Sequence, residues 1–265
     1  MRVTRPIISF VICSFCLVPL LTGQSTSTAS STQAATVLQS AITALTGKTA
    51  IADATLTGTV EWIAGSEDET GTATYKGLTG TYRLDMVFRN GTRSEIVSPV
   101  SGVPAGNWIG LDGVSHAIAN HNLMVDVGWF PAFALTSLIS SSNTVLSYVG
   151  QETRSDMSVI HVSAIQISPN FAGSSSSLMQ HLTQVDLYLD PTTFLPVSYV
   201  FNVHPDNNAI LDIPVEIRYS NYQSVNGAQI PLHVEKYLNN TLAIDLQFQS
   251  PALNTGLTAS QISGQ

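Results

Sequence analysis

Apolar residues recur along this chain with two different spacings. Between residues 35 and 45 they fall at i, i+1, i+4, i+5 and i+8, which is typical of one face of an amphipathic helix. Gly47 follows, and glycine commonly ends a helix. The pattern therefore predicts a first helix with a buried side formed by Val37, Leu38, Ala41, Ile42 and Leu45.

Beyond this helix, apolar and polar residues alternate, as in β-strands with one buried face. Asn-Gly at residues 90–91 and 226–227 and Asn-Asn at residues 239–240 separate several of these stretches and predict tight hairpins. About ten such strands, joined by short turns, predict a meandering, mostly antiparallel sheet and hence an α+β fold. The inward-facing candidates on these strands are Leu84, Met86, Phe88, Tyr199, Phe201, Val215 and Ile217.

Two stretches depart from the alternating pattern. Residues 132–139 are apolar without alternation and predict a second short helix, lying against the sheet. Residues 170–177 are rich in glycine and serine and predict a mobile loop.

The first 23 residues have the composition of an export signal. Arg2 and Arg5 precede an apolar run of about 15 residues, shorter than the roughly 20 that a spanning helix needs. We expect residues 1–23 to be a cleaved signal peptide and the protein to be periplasmic or otherwise exported; an uncleaved anchor is the alternative. Cys13 and Cys16 lie inside this run, so we expect the exported chain to have no disulfide and no lipid-anchoring cysteine.

The rest of the chain is predicted to form one domain. Residues 24–33 are rich in serine and threonine and are predicted to be a flexible linker. Residues 34–258 then form a single half-barrel domain, and residues 259–265 a flexible C-terminal tail.

Charge and composition exclude several partners. The chain has 10 basic and 18 acidic residues, a net charge of −8, and charged residues make up 11% of it. Nucleic-acid binding requires a basic stripe that displaces phosphate counterions, so we expect no nucleic-acid partner. An apolar content of 44% allows a sizeable core.

Motifs that carry catalytic chemistry are hard to find in this sequence. Neither a nucleophile elbow nor a phosphate-binding glycine loop occurs. His116 and His121 are five residues apart in a segment that looks like strand and turn, so we expect a solvated loop there and not a metal site. His233 and Glu235 share one strand face, but the sequence shows no third or fourth ligand beside them. We therefore predict no catalytic residue, no metal site and no cofactor, and expect that the protein is not an enzyme.

The predicted sheet has one apolar face that two short helices can cover only in part. The sheet must therefore curl, close or leave an apolar hollow suited to a hydrophobic ligand. A dry core packed by the helices and strands is an equally weighted alternative at this point.

Several passages resemble the bacterial LolA/LolB-like lipoprotein-carrier superfamily, which includes the LppX-like lipid-binding proteins. The resemblance covers about residues 35–258, and its motifs occur in the family's order. They are the strand–turn–strand at residues 75–86, the Asp-x-x-Thr-x-x-Pro-like hairpin at residues 190–196, and the Tyr…Tyr…Gly…Pro passage at residues 219–231.

This resemblance implies an unclosed barrel of about eleven strands wrapped around helices, with an apolar cavity for acyl chains. The implied cavity residues are the inward candidates named above: Val37, Leu38 and Ile42 on the helix, and the seven apolar residues on the strands. Carriers of this kind also have a basic residue near the cavity mouth. Lys76 is the loosest match to it, with Arg83 and Arg89 as rivals.

Two functions of different classes follow from the sequence. The first is a monomeric, exported binding or carrier protein for lipid acyl chains or lipoproteins. The second is a non-catalytic envelope sensor that binds a partner protein through the same scaffold. An unrecognised hydrolase is the remaining class, and a buried, mutually bonded Ser/His/Asp set or carboxylate pair would distinguish it.

Overall fold

The computed structural model describes residues 24–168, 170 and 172–264. Within them, thirteen strands form one sheet. Its strands are β1 (Ala54–Ala64), β2 (Glu67–Leu78), β3 (Thr81–Phe88), β4 (Gly91–Val97), β5 (Gly106–Ile109), β6 (Ser115–Ala117), β7 (Thr144–Arg154), β8 (Met157–Gln166), β9 (Val185–Leu189), β10 (Pro196–Val203), β11 (Ile213–Val225), β12 (Ala228–Leu238) and β13 (Thr241–Leu253). The helices are α1 (Gln24–Thr46), α2 (Pro131–Ser140), α3 (Ser174–Leu182) and α4 (Ala259–Ser263), with a 3-10 helix at Asn120–Leu123.

The sheet consists of two antiparallel meanders, β1 to β6 and β7 to β13, which are joined where the first strand pairs with the last. Its order is β6-β5-β4-β3-β2-β1-β13-β12-β11-β10-β9-β8-β7, so β1 pairs with β13 and the edges are β6 and β7. The sheet is curled and unclosed, which confirms the predicted fold class. It has more strands than the sequence pattern suggested, because β5 and β6 are too short to show alternation and β7 is largely exposed.

Helix α1 fills one part of the inner, concave face of the sheet. Leu38 and Leu45 are almost fully buried and belong to the same core cluster as Leu135 of α2 and Ile217 of β11. The helix ends at Gly47, as predicted, with a positive φ of 63°. There is no room for a side chain at Gly47, because a Cβ would lie 2.3 Å from the carbonyl oxygen of Gly227.

The prediction of a flexible linker at residues 24–33 is wrong, because α1 begins at Gln24. Hydroxyl groups along the helix donate to carbonyls one turn earlier, as Thr36 does to Thr32 at 3.0 Å and Ser40 to Thr36 at 3.0 Å. Ser30 also binds the edge strand β7, donating to the carbonyl of Tyr148 and accepting from its N–H. Serine and threonine thus serve here as helix-surface and edge-capping residues. The predicted signal peptide, residues 1–23, lies outside the described residues.

The prediction of a flexible C-terminal tail is also wrong over residues 259–264. Helix α4 begins with a capping box between Thr258 and Gln261, and its Ile262 is fully buried. The carboxylate of Asp53 holds the chain that leads into this helix, accepting from the N–H groups of Thr255 at 2.8 Å and Gly256 at 2.9 Å. Helix α4 packs against β2, β3 and β4.

The local predictions for turns and short helices have mixed outcomes. Tight turns with positive φ occur at residues 226–227 and 239–240, and α2 coincides with the predicted second helix. The first hairpin turns at residues 89–90 instead, with Gly91 opening β4. The predicted mobile loop at residues 170–177 is wrong in its second half, because α3 begins at Ser174. Among the described residues, no helix is long and apolar enough to cross a bilayer.

Candidate ligand cavity

A cavity of about 550 Å³ lies on the inner face of the sheet, beside the part that α1 fills. Its walls come from the segment between β6 and α2, from α2 and α3, and from the inner faces of β4 and β10. The apolar lining residues are Val97, Pro99, Pro104, Ile118, Leu123, Met124, Val125, Val127, Ala134, Leu138, Met179, Val185 and Val203. The hollow inferred from the sequence is therefore partly packed by the protein itself and partly open.

Near its end, at Gly128, the segment between β6 and α2 makes one tight contact with the inner face of the sheet. Gly128 has a φ of 81°, and a Cβ there would lie 2.9 Å from the hydroxyl of Tyr219 and 3.0 Å from the ring of Tyr199. The hydroxyl of Tyr219 donates to the carbonyl of Gly128. Glycine is therefore required both for the backbone conformation and for the close approach.

Polar side chains share one region of the cavity wall, which we call the polar patch: Tyr82, Glu95, Asp126, Tyr199 and Lys236. Glu95 accepts from the hydroxyl of Tyr82 at 2.5 Å and from Trp129 Nε1 at 3.2 Å. The ammonium of Lys236 lies 5.2 Å from the centre of the Trp129 ring, a cation–π distance.

Two members of the polar patch have unusual electrostatic or hydrogen-bonding properties. Burial raises the pKa of Asp126, the N–H of Gly128 opposes this shift with a 2.8 Å hydrogen bond, and the nearby charge of Glu95 reinforces it. Tyr199 is 1% exposed, and its hydroxyl has no hydrogen-bond partner among the described residues. Burial, together with the charge of Asp126, raises the pKa of Tyr199 well above its ordinary value, so the phenol remains protonated. A buried phenol without a partner is a group that a bound ligand could satisfy.

Of the residues proposed from the sequence to line the cavity, the structure places Tyr199 in its wall. Val37, Leu38, Leu84, Met86, Phe88, Phe201, Val215 and Ile217 belong to the buried core cluster, and Ile42 packs against that cluster. The strand residues among them share the predicted inner face, and side chains of α1 and α2 pack against them in this cluster.

The basic residue in the cavity wall is Lys236. Lys76 neighbours the buried Tyr75 on β2, so strand alternation turns its side chain to the outer face. Arg83 likewise pairs with Asp85 at 2.7 Å on the outer face, and Arg89 lies in the β3–β4 turn. The available signal for Lys236 was its position two residues after Val234, at an inward position of an alternating strand.

A hydrogen-bonded serine, histidine and aspartate do occur, on the outer face of the sheet. Ser220 Oγ lies 3.0 Å from His233 Nδ1, and His233 Nε2 lies 3.0 Å from Asp245 Oδ1. These residues lie on the neighbouring strands β11, β12 and β13. The Ser220–His233 contact is solvent-exposed, whereas acyl-transfer catalysis uses a site from which water is excluded.

Comparison with known proteins finds no matching family model and no matching curated protein. Solved structures do match. A domain named as an outer membrane lipoprotein-sorting protein, from Vibrio parahaemolyticus, gives a TM-score of 0.54 at 14% identity, covering 88% of this chain and 97% of that chain. A DUF1329 family protein from Desulfovibrio piger gives a TM-score of 0.54 at 6% identity, covering 88% of this chain and 96% of that chain. At these identities the match shows the fold, and the chain therefore has the LolA-like fold that its sequence resemblance predicted.

Proposed function

We propose that the protein is an exported, non-catalytic binding or carrier protein that holds the acyl chain of a lipid or lipoprotein in the inner cavity. The observation that carries this proposal is the cavity of about 550 Å³ with its largely apolar lining. This volume lies within the range of about 300–1,000 Å³ that is usual for small-molecule sites. Apolar walls of this kind favour a hydrocarbon chain because its burial removes apolar surface from water.

The polar patch indicates what else the ligand carries. Lys236 offers a positive charge, and the hydroxyl of Tyr199 offers an unused donor and acceptor on the same wall. Buried polar groups are stable when they are hydrogen-bonded, so a ligand with one polar group beside its chain complements this wall better than a pure hydrocarbon does. We therefore propose a single-chain amphiphile, or one chain of a lipid, as the occupant.

The shared fold supports the same proposal. One of the two matching structures described above bears the name of a lipoprotein-sorting protein, and its length is almost fully covered. At 14% identity, no ligand-binding residue of that structure can be assigned to this chain, so the proposal rests on the lining residues seen here.

Native mass spectrometry of the protein purified from the compartment to which it is exported tests this proposal. We expect a fraction of the protein to carry an added mass that organic extraction releases and lipid analysis identifies. A single apo mass, together with no uptake of a fluorescent fatty acid by the delipidated protein, would contradict it. An apo protein that captures an envelope protein would instead favour the alternative of a sensor module.

A further inference from the structure

Three histidines from separate parts of the chain converge beside the cavity. His121 belongs to the 3-10 helix, His181 to the last turn of α3, and His204 directly follows β10. The His181 and His204 ring centres are 5.4 Å apart, and those of His121 and His204 are 5.9 Å apart. Asp212, from the loop before β11, faces the same point.

The ligand atoms of this group are spaced as a metal ion requires. Asp212 Oδ1 lies 3.1 Å from His181 Nε2 and 3.1 Å from His204 Nε2. One ligand atom from each of these three residues lies within 4.8 Å of the other two. A tetrahedral zinc ion with bonds of about 2.0–2.1 Å would hold such atoms about 3.3 Å apart, so small side-chain movements suffice.

The histidine nitrogens are also unusually short of partners. His121 Nε2 is buried and makes no hydrogen bond with the described residues, and His181 Nε2 makes none either beyond its 3.1 Å ion-pair contact with Asp212 Oδ1. His204 is 3% exposed, and its Nδ1 is buried without a hydrogen-bond partner among the described residues. Buried polar nitrogens are normally hydrogen-bonded, so three neighbouring histidines that each keep a nitrogen without a hydrogen bond point to a ligand at this position.

The backbone around the group is held in place by hydrogen bonds. The side chain of Asn122 donates to the carbonyl of His204 at 2.8 Å and accepts from its N–H at 2.8 Å. These two hydrogen bonds tie the 3-10 helix to the end of β10. They therefore link the backbone segments that carry His121 and His204.

We propose that His181, His204 and Asp212 form a binding site for a divalent transition-metal ion of the zinc type. Imidazole and carboxylate ligands in a tetrahedral arrangement suit zinc. His121 Nε2 supplies the fourth ligand after a side-chain adjustment. No local pattern predicted this site, because His121, His181, His204 and Asp212 are separated by 60, 23 and 8 residues along the chain.

The position of the site gives it a consequence for the cavity. Asn122, Met179, Thr183 and Val203 line the cavity, and each is within two residues of a proposed ligand. A bound ion would tie the 3-10 helix, α3 and the end of β10 together around the cavity wall. Resting on the proposed function, we infer that the metal slows the release of an acyl-chain ligand.

A second group, His233, Glu235 and Asp245, provides an internal contrast. It too places three possible ligand atoms close together. However, both ring nitrogens of His233 are hydrogen-bonded, one to Ser220 and one to Asp245. Because no nitrogen of His233 is left without a partner, we assign the metal to the first group alone.

The test is titration of the purified, delipidated protein with Zn²⁺ alone, by calorimetry, with the metal content after dialysis measured by mass spectrometry. The variants are His181→Gln and Asp212→Asn, whose side chains are 36% and 43% exposed and should allow folding. The controls are His116→Gln, an exposed histidine stacked on Trp108, and His233→Gln in the second group. Circular dichroism and thermal unfolding without metal establish that each variant is folded.

We expect one Zn²⁺ per wild-type chain and a higher unfolding temperature with the metal. Replacing a residue that only hydrogen-bonds to a metal ligand typically costs about 10–100-fold in metal affinity, so each ligand variant should lose at least that much. Both controls should bind Zn²⁺ as the wild type does. A wild type that binds no Zn²⁺, or an equal loss in His233→Gln, would overturn the assignment. Zn²⁺ binding without fatty-acid binding would leave the metal site intact and contradict the proposed function instead.

Discussion

Filling the cavity from α2 should reduce acyl-chain binding without unfolding the protein. Ser137 lines the cavity and makes no side-chain hydrogen bond among the described contacts, so Ser137→Phe places a ring in the cavity. Ser140 lies three residues further along the same helix and is exposed outside the cavity, so Ser140→Phe is a matched control.

The expected loss follows from the chain that the ring displaces. Burying one methylene group contributes about 0.8 kcal/mol. If the phenyl ring takes the place of about three methylene groups in the cavity of about 550 Å³, binding weakens by about 2.4 kcal/mol. This corresponds to a rise in Kd of about 50-fold.

Displacement of a fluorescent fatty acid gives Kd for the wild type and both variants, and circular dichroism and thermal unfolding report their folding. We expect Ser137→Phe to remain folded and to bind about 50-fold more weakly, with Ser140→Phe close to the wild type. Unchanged binding by a folded Ser137→Phe protein, or an equal loss in both variants, would show that the ligand lies elsewhere.

The carboxylates of Asp53 and Asp126 should respond to pH in opposite directions. Burial raises the pKa of Asp53, but hydrogen bonds from Thr255, Gly256 and Leu257 outweigh this effect, and the pKa is lowered. The carboxylate therefore stabilises the fold above the pKa of the unfolded chain, and this stabilisation is lost as the pH falls through the pKa of the folded protein. Asp53→Asn should therefore cost about 1–3 kcal/mol at neutral pH, with a smaller loss in acid; urea unfolding measures this, and an equal loss at every pH would contradict it. Burial raises the pKa of Asp126, so the protonated form stabilises the fold at low pH, and this contribution is lost as the pH rises through the folded value. Asp126→Asn, which keeps the oxygen that accepts from Gly128, should be more stable than the wild type at neutral pH and equal to it in acid, and a less stable variant at neutral pH would refute this.

Hydrophobic periodicity predicted the first helix and the mostly antiparallel sheet, and the family resemblance added the unclosed barrel. Alternation along β3, β10 and β11 placed Leu84, Phe201 and Ile217 on the buried face, where the structure has them. The period of 3.6 likewise predicted the buried side of α1. These predictions succeed because each depends on neighbours within one element.

Long-range packing decided the features that the sequence did not reveal. Whether Leu38 and Phe201 line an open cavity or a packed core depends on where α1 and α2 lie, and no local pattern encodes that position. Ser/Thr-rich residues 24–33 read as a linker because their composition is polar, whereas Ser30 is held by the edge strand. Glu95 and Lys236 were detectable in principle, as charged residues at inward positions of alternating strands.

The central claim is that the inner cavity holds an acyl chain, and affinity as a function of chain length tests it most directly. Calorimetry with saturated fatty acids of increasing length would supply Kd for each. We predict that affinity rises about fourfold for each added methylene group, because each contributes about 0.8 kcal/mol, until the cavity is full and the affinity levels off. Absence of binding at every length, or an affinity that does not depend on length, would contradict the account.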